Sequence, residues 1–314
     1  MAEGGLPLRI GTRGSPLALK QAALVRDRLM AAHPALAEPG AVVVEAIRTT
    51  GDKVQDRALS EIGGKGLFTK EIEEALFDGR IDLAVHSMKD MATHLPPGLA
   101  IAAMLEREDP RDALIAREGT SIASLPKGAR IGSASLRRRA QLLAQRPDLA
   151  VTILRGNVGT RLEKLGRGEV DATILAIAGL KRLGQADRAT AVLSVEEMLP
   201  AAGQGAIGIE IRESDGRVAA LVAALDHPAT STAVRAERAC LAVLDGSCHT
   251  PIAALAEPAG ARLRLRALIA MPDGSRLHRF EQTAESAEAA ALGRAVGEAL
   301  RAKAEPAFFA ALKR

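Results

Sequence analysis

A reachable cysteine, a Lys-Asp pair after an apolar run and arginines gathered at serine- and glycine-containing loops are the residues of this 314-residue chain best suited to chemistry. Cys248 sits in Asp245-Gly246-Ser247-Cys248-His249, a loop-forming stretch where a thiol is open to nucleophilic chemistry. The second cysteine, Cys240, falls at helical spacing from Ala236 and Val243 and reads as core. Lys89 and Asp90 close the run His86-Ser87-Met88-Lys89-Asp90 directly after the apolar stretch Ile81 to Val85, where α/β sheets place ligand groups. An adjacent lysine and aspartate usually form a surface pair, so here the position carries the functional reading. Arginine gathers at Arg13, at Arg137, Arg138 and Arg139, and at Arg155 and Arg161 around Gly156-Asn157-Val158-Gly159. Ser15, Ser133 and Ser135 stand at expected helix starts, where backbone N–H groups and the positive dipole end favour anions. Arginines in a first helical turn oppose that dipole, so a set of them needs a compensating anion, and a polycarboxylate or phosphate ligand fits. Taken singly, each arginine reads rather as part of a solvated basic face, and only the set points to a ligand.

The elements that must carry these residues follow from local punctuation. Leu8 to Gly11 predicts a short buried strand; Ser15 then caps, and Pro16 opens, a helix to about Leu29. Val42 to Ile47 predicts a strand, Phe68, Ile72, Ala75 and Leu76 a helical stripe ending at Gly79, and Ile81 to Val85 the next strand. This alternation favours α/β sheets covered on both faces. The order recurs: Ile131-Gly132-Ser133 echoes Ile10-Gly11-Thr12, Leu154-Arg155 echoes Ile47-Arg48, and Gly168 to Asp171 echoes Gly79 to Asp82. Two similar α/β domains are therefore expected. A helix from about Thr230 to Leu244, the Cys248 loop and the alternating Arg262-Leu263-Arg264-Leu265-Arg266 strand predict a smaller α+β domain. Gly63-Gly64-Lys65-Gly66 lacks the spacing and the Ser/Thr of a nucleotide loop and reads as a mobile loop.

Composition narrows the classes. Tryptophan and tyrosine are absent and phenylalanine occurs five times, so base-stacking platforms are scarce and a single-strand nucleic-acid binder is disfavoured. The net charge is only +4. Two cysteines without metal-ligand spacing predict neither a disulfide framework nor a metal site and suit a reducing compartment. Met1 to Pro7 has no export-signal pattern and no apolar run reaches bilayer length, which reads as a cytoplasmic chain without membrane contact.

Successive blocks resemble the porphobilinogen deaminase family: Thr12 to Leu19, Gly63 to Phe68, His86 to Asp90, Arg107 to Asp112, Gly132 to Arg138, Leu154 to Arg161, Ala178 to Gly184, Pro200 to Gly205, and Asp245 to Cys248 with Pro251-Ile252. The resemblance implies two domains like type II periplasmic binding proteins, 1–104 with 204–224 and 105–203, and a C-terminal α+β domain, 225–314. It implies that Cys248 holds one dipyrromethane cofactor through a thioether, and that Asp90 is the catalytic carboxylate. Arg13, Ser15, Lys89, Ser133, Ser135, Arg137, Arg138, Arg155, Arg161 and Arg182 would grip the acetate and propionate groups of cofactor, substrate or growing chain. The implied reaction joins four porphobilinogen molecules head to tail, releasing ammonia each time and finally hydroxymethylbilane, which passes to uroporphyrinogen III synthase. A monomer is implied, with Gly63, Gly64, Lys65 and Gly66 as a lid. Loss of ammonia leaves a cationic azafulvene, which an ionised carboxylate beside the pyrrole nitrogens stabilises. Ala134 stands where a hydroxyl residue is expected and Ser247 where a glycine is; neither removes a charge or the nucleophile. Two other classes share some of these features: a small-anion binding protein needs neither Asp90 nor Cys248, and a nucleic-acid binder predicts steeply salt-dependent affinity.

Overall fold

The computed structural model describes residues 7–53, 69–244 and 250–312. Cys248 and the loop Gly63, Gly64, Lys65, Gly66 lie outside the described residues. The chain divides into two compact units, with changes of unit at 107/108, 205/206 and 231/232.

In chain order the first unit supplies β1 (Leu8–Arg13), α1 (Pro16–Ala32), β2 (Val42–Ile47), α2 (Thr50–Lys53), α3 (Lys70–Phe77), β3 (Leu83–Ser87) and β4 (Leu99–Met104). The second supplies β5 (Asp112–Ala116), β6 (Arg130–Gly132), α4 (Leu136–Gln145), β7 (Ala150–Thr152), α5 (Val158–Gly166), β8 (Ala172–Ala176), α6 (Ile177–Arg182) and β9 (Ala191–Val192). The chain then returns to the first unit for β10 (Ile207–Arg212) and α7 (Gly216–Ala223). It ends with α8 (Pro228–Val243), β11 (Ile252–Ala259), β12 (Arg262–Ala270), β13 (Leu277–Glu285) and α9 (Ala289–Leu312).

The first unit's sheet has the order β2-β1-β3-β10-β4, and that of the second has β7-β6-β8-β5-β9. In each, three strands run parallel, and the fourth, a strand at a chain crossing, is antiparallel to its neighbours. This shared order makes the two sheets the similar α/β pair that the repeated blocks predict, and it fits the type II periplasmic-binding-protein fold that the family resemblance implies. The repeat extends to side chains. Gly79 and Gly168 turn into the third strand with φ of 66° and 76°, a region open to glycine at little cost. Just beyond, Asp82 accepts the Arg9 N–H at 2.8 Å and its guanidinium at 2.9 Å; Asp171 does the same for Arg130 at 2.8 and 3.0 Å.

The first sheet is covered on both faces. Ala22, Val25 and Leu29 of α1 and Val218 and Val222 of α7 pack one face, with Ile72, Ala75 and Leu76 of α3 on the other. The third sheet, β11-β12-β13, is antiparallel. One face meets α8 and α9 through Leu265, Ile269, Ala236, Cys240, Val296 and Phe308. The other packs Ala253, Leu255, Leu268 and Ala270 on Ala140 of α4 and on Leu199. Alternation therefore holds from Arg262 to Ala267 and stops at Leu268, where α4 covers the second face of β12. Cys240 is fully buried as expected, and burial, with the charge of Glu237, pushes its thiol up to about 12.

Candidate active site

In the first unit, β1 and β3 run parallel and end together, so Arg13, at the end of β1, and the turn after β3 open on the same side. Ser15 caps α1 by accepting the Ala18 N–H at 3.2 Å, as the Ser-Pro pair predicts. Met88–Asp90 form one 3-10 turn. Met88 anchors it: its N–H donates to Ala206 O at 3.0 Å, and its sulfur fills the space that a Cβ on Gly208 would need. Ser87 and Gln21 exchange hydrogen bonds of 2.9 and 3.1 Å, tying α1 to the end of β3. The result is a pocket lined by Arg13, Ser15, Gln21, His86, Ser87 and Asp90 among others, with Lys89 in the turn beside it. A guanidinium and a carboxylate line one wall system, able to take a ligand's carboxylate and its N–H or cation respectively.

Beneath this pocket lies a buried ionisable cluster that composition and spacing did not reveal. His86 Nε2 and Glu210 Oε2 are 2.9 Å apart, with side chains 4% and 0% exposed. Glu73 of α3 is buried nearby, and burial, aided by the charge of Glu210, raises its pKa.

In the second unit, Ser135 caps α4 by accepting the Arg138 N–H at 3.4 Å, and Ser133 accepts the Ser135 N–H at 3.2 Å. Arg137 and Arg138 do not simply face outward. Both are buried against Asp112, with Arg137 Nη1 2.8 Å from Oδ2 and Arg138 Nη2 2.7 Å from Oδ1. Gln204 donates to the same Oδ1 at 2.9 Å, and Arg137 also donates to Leu199 O at 2.7 Å. Burial alone would raise the Asp112 pKa; the two guanidiniums outweigh it and hold the carboxyl well below its usual range. The anion that first-turn arginines require is thus supplied, for these two, by the chain itself. Arg155 and Arg161 are half-buried at the start of α5, where Asn157 caps the helix by accepting the Thr160 N–H at 3.0 Å. Gly156 holds that turn at φ 114°, and its carbonyl accepts from Arg161 Nε at 2.8 Å. Arg182 donates to Gly205 O at 2.7 Å, and burial pushes its guanidinium pKa down.

Residues 8–220 match the family model described as porphobilinogen deaminase, dipyromethane cofactor binding domain, and residues 231–302 match porphobilinogen deaminase, C-terminal domain. The chain belongs to the porphobilinogen deaminase family. A porphobilinogen deaminase of Paracoccus denitrificans is 55% identical over 303 residues, covering 96% of each chain. The chloroplastic porphobilinogen deaminase of Oryza sativa subsp. japonica is 53% identical over 309 residues, covering 98% of this chain and 86% of that one. Among solved structures, a periplasmic substrate-binding protein of an ABC transporter from Coxiella burnetii is 19% identical over 72% of this chain and 94% of its own, with a TM-score of 0.40. The fold assignment rests on strand order and not on that likeness.

Members of this family are transferases of tetrapyrrole biosynthesis that work on a dipyrromethane cofactor, and this chain is one of them. The donor set fits such a group. Arg13 and the Ser15 hydroxyl lie in the same pocket as Asp90, so a carboxylate-bearing pyrrole finds a cation for its side chain and a carboxylate for its ring N–H. No group of His, Cys, Asp and Glu among the described residues could hold a metal ion. No helix among them is long and apolar enough to cross a membrane.

Proposed function

We propose that this chain condenses four porphobilinogen molecules head to tail on a dipyrromethane carried by Cys248, with Asp90 stabilising the cationic azafulvene formed when ammonia leaves. The observation that carries this reading is the seating of Asp90 in one pocket with Arg13 and Ser15, within a chain whose family binds this cofactor. The cofactor supplies the free pyrrole α-carbon as nucleophile. Asp90 accepts a pyrrole N–H and opposes the positive charge that develops next to it. Each pyrrole adds two carboxylates, so guanidiniums in number are the suitable donors. Arg13, Ser15 and Lys89 serve the pyrrole beside Asp90. Ser133, Ser135, Arg137, Arg138, Arg155, Arg161 and Arg182 serve the carboxylates of cofactor and product, Arg137 and Arg138 with the donors that Asp112 leaves available.

The same reading gives three domains, 1–104 with 204–224, 105–203, and 225–314. The sheet order supports the first two, and the separate antiparallel sheet supports the third. It also gives a cytoplasmic monomer that releases hydroxymethylbilane for uroporphyrinogen III synthase. Mass spectrometry of the intact purified chain tests the central claim. A covalent excess of two pyrrole units, lost in Cys248→Ala, is expected; a parent chain of bare sequence mass refutes cofactor attachment.

A further inference from the structure

Every addition that joins two pyrroles must also remove a proton from the attacked α-carbon, and the pocket has a second ionisable group placed for it. We infer that His86 is the proton acceptor of each condensation, oriented by Glu210. This rests on the activity proposed above.

The register of the first sheet brings the two side chains together. β3 and β10 are antiparallel with His86 opposite Gly208 and Glu210 opposite Ala84, so His86 and Glu210 project on the same face, two residues apart in the ladder. Their Nε2 to Oε2 distance of 2.9 Å is a hydrogen bond inside the protein. A buried carboxylate at one imidazole nitrogen fixes the ring's tautomer: the proton sits on Nε2 and the lone pair on Nδ1. His86 Nδ1 has no hydrogen-bond partner among the described residues, and the ring lines the pocket that Asp90 also lines. A carboxylate behind, an imidazole between and a ligand pocket in front is the arrangement of an oriented general base.

The surrounding charges suit the task. Behind the ring stand Glu210 on β10 and Glu73 on α3; on the pocket side stand Asp90 in the turn and Arg13 on β1. Glu210 Oε1 and Glu73 Oε1 are both buried without a hydrogen-bond partner among the described residues. Burial raises the Glu73 pKa, and Glu210, at hydrogen-bond distance, is the carboxyl group that faces the ring directly. Asp90 then keeps its own task of opposing the azafulvene charge.

The step balances. The aminomethyl C–N bond of porphobilinogen breaks with its electron pair on nitrogen, and ammonia leaves. The attacking α-carbon forms the new C–C bond to the methylene. Its C–H bond then breaks, the pair returns to the ring, and the proton goes to His86 Nδ1. The imidazolium passes that proton to ammonia, which departs as ammonium, or to water, and the base is restored for the next addition.

Two measurements on the full-length holoenzyme test this. In spectra of 15N-histidine-labelled protein, the His86 signal is assigned among the six histidines by its loss in His86→Gln. The parent is expected to show the Nε2-protonated tautomer, and Glu210→Gln to shift it; a parent protonated on Nδ1 overturns the inference whatever the activity. In turnover, His86→Gln keeps a donor for Glu210 but cannot carry a proton, so kcat is expected to fall about a hundredfold or more with KM nearly unchanged. Deuterium at the free α-carbon of porphobilinogen should slow this variant more than the parent. Turnover within about twofold of the parent refutes the base role. If His86→Gln does not fold, as judged by its melting profile, Glu210→Gln decides, with an unchanged kcat refuting the inference. A parent that does not convert porphobilinogen refutes the activity reading instead, and leaves the tautomer result standing.

Discussion

Replacing Asp112 by alanine removes a single carboxylate that answers two buried guanidiniums. Asp112 is completely buried, and the Arg137 and Arg138 side chains are only 6% and 7% exposed, so water cannot substitute for the lost anion without opening the start of α4. Removing one partner of a buried ion pair costs about 3–5 kcal/mol, chiefly because an uncompensated charge stays behind. Gln204 loses an acceptor as well, which keeps the expected loss in the upper part of that range. At about 2–4 °C per kcal/mol for a domain of this size, the melting temperature should fall by roughly 6–20 °C. The sign of the pH dependence follows from the depressed carboxyl pKa: the contribution of Asp112 is complete above its unfolded value and lost as pH falls through the folded one. The gap between parent and variant should therefore be constant through neutral pH and close only in strong acid. Buried charges are screened little by salt, so the gap should also persist at high ionic strength. Urea unfolding and thermal melts of both proteins, at low and high salt, measure it. A loss below about 1 kcal/mol, or one that salt abolishes, refutes the view of Asp112 as the buried counter-ion of α4.

The other expectations are more direct. Asp90→Asn keeps the shape of the turn and removes the charge, so porphobilinogen should still bind while steady-state turnover drops about a hundredfold or more; near-normal kcat excludes cation stabilisation. Cys248→Ala should fold yet lack both the two-pyrrole mass excess and activity, whereas Cys240→Ala should retain both, and normal hydroxymethylbilane formation by the former excludes attachment at Cys248. With its thiol pushed up to about 12, Cys240 should resist a thiol reagent at pH 8 until the chain is unfolded, and rapid labelling of native Cys248→Ala protein would contradict its burial. Glu73 has a raised pKa in the fold, so ionising it costs stability increasingly as pH rises above its unfolded value; Glu73→Gln should melt no lower than the parent at pH 8, and the comparison should move in the parent's favour as pH falls towards the ordinary carboxylate range.

Much of the fold is local in origin, and that part was legible in the chain. Ser15-Pro16 starts α1 whatever lies elsewhere, because a capping hydroxyl and a fixed φ act within one turn. The correspondence of Gly79 to Asp82 with Gly168 to Asp171 pointed to a duplicated unit, and matched backbone turns and matched Arg-Asp pairs stand at both places. Cys240 was readable as core from helical spacing alone. The family blocks carried the activity, since together they hold the residue types that the chemistry needs.

Through-space partnership was not legible, for a physical reason. An ionic contact depends on distance and desolvation, and sequence separation is informative about neither once the chain folds back on itself. His86 and Glu210 lie 124 positions apart, and they meet only because β10 returns to the first unit and inserts beside β3. Arg138 and Asp112 lie 26 apart, and burial of both gives the first turn of α4 an internal counter-ion that residue spacing did not show. Sequence by itself determined which side chains were available and which elements would carry them; only the crossing strands and the depth of burial decided which charges answer each other.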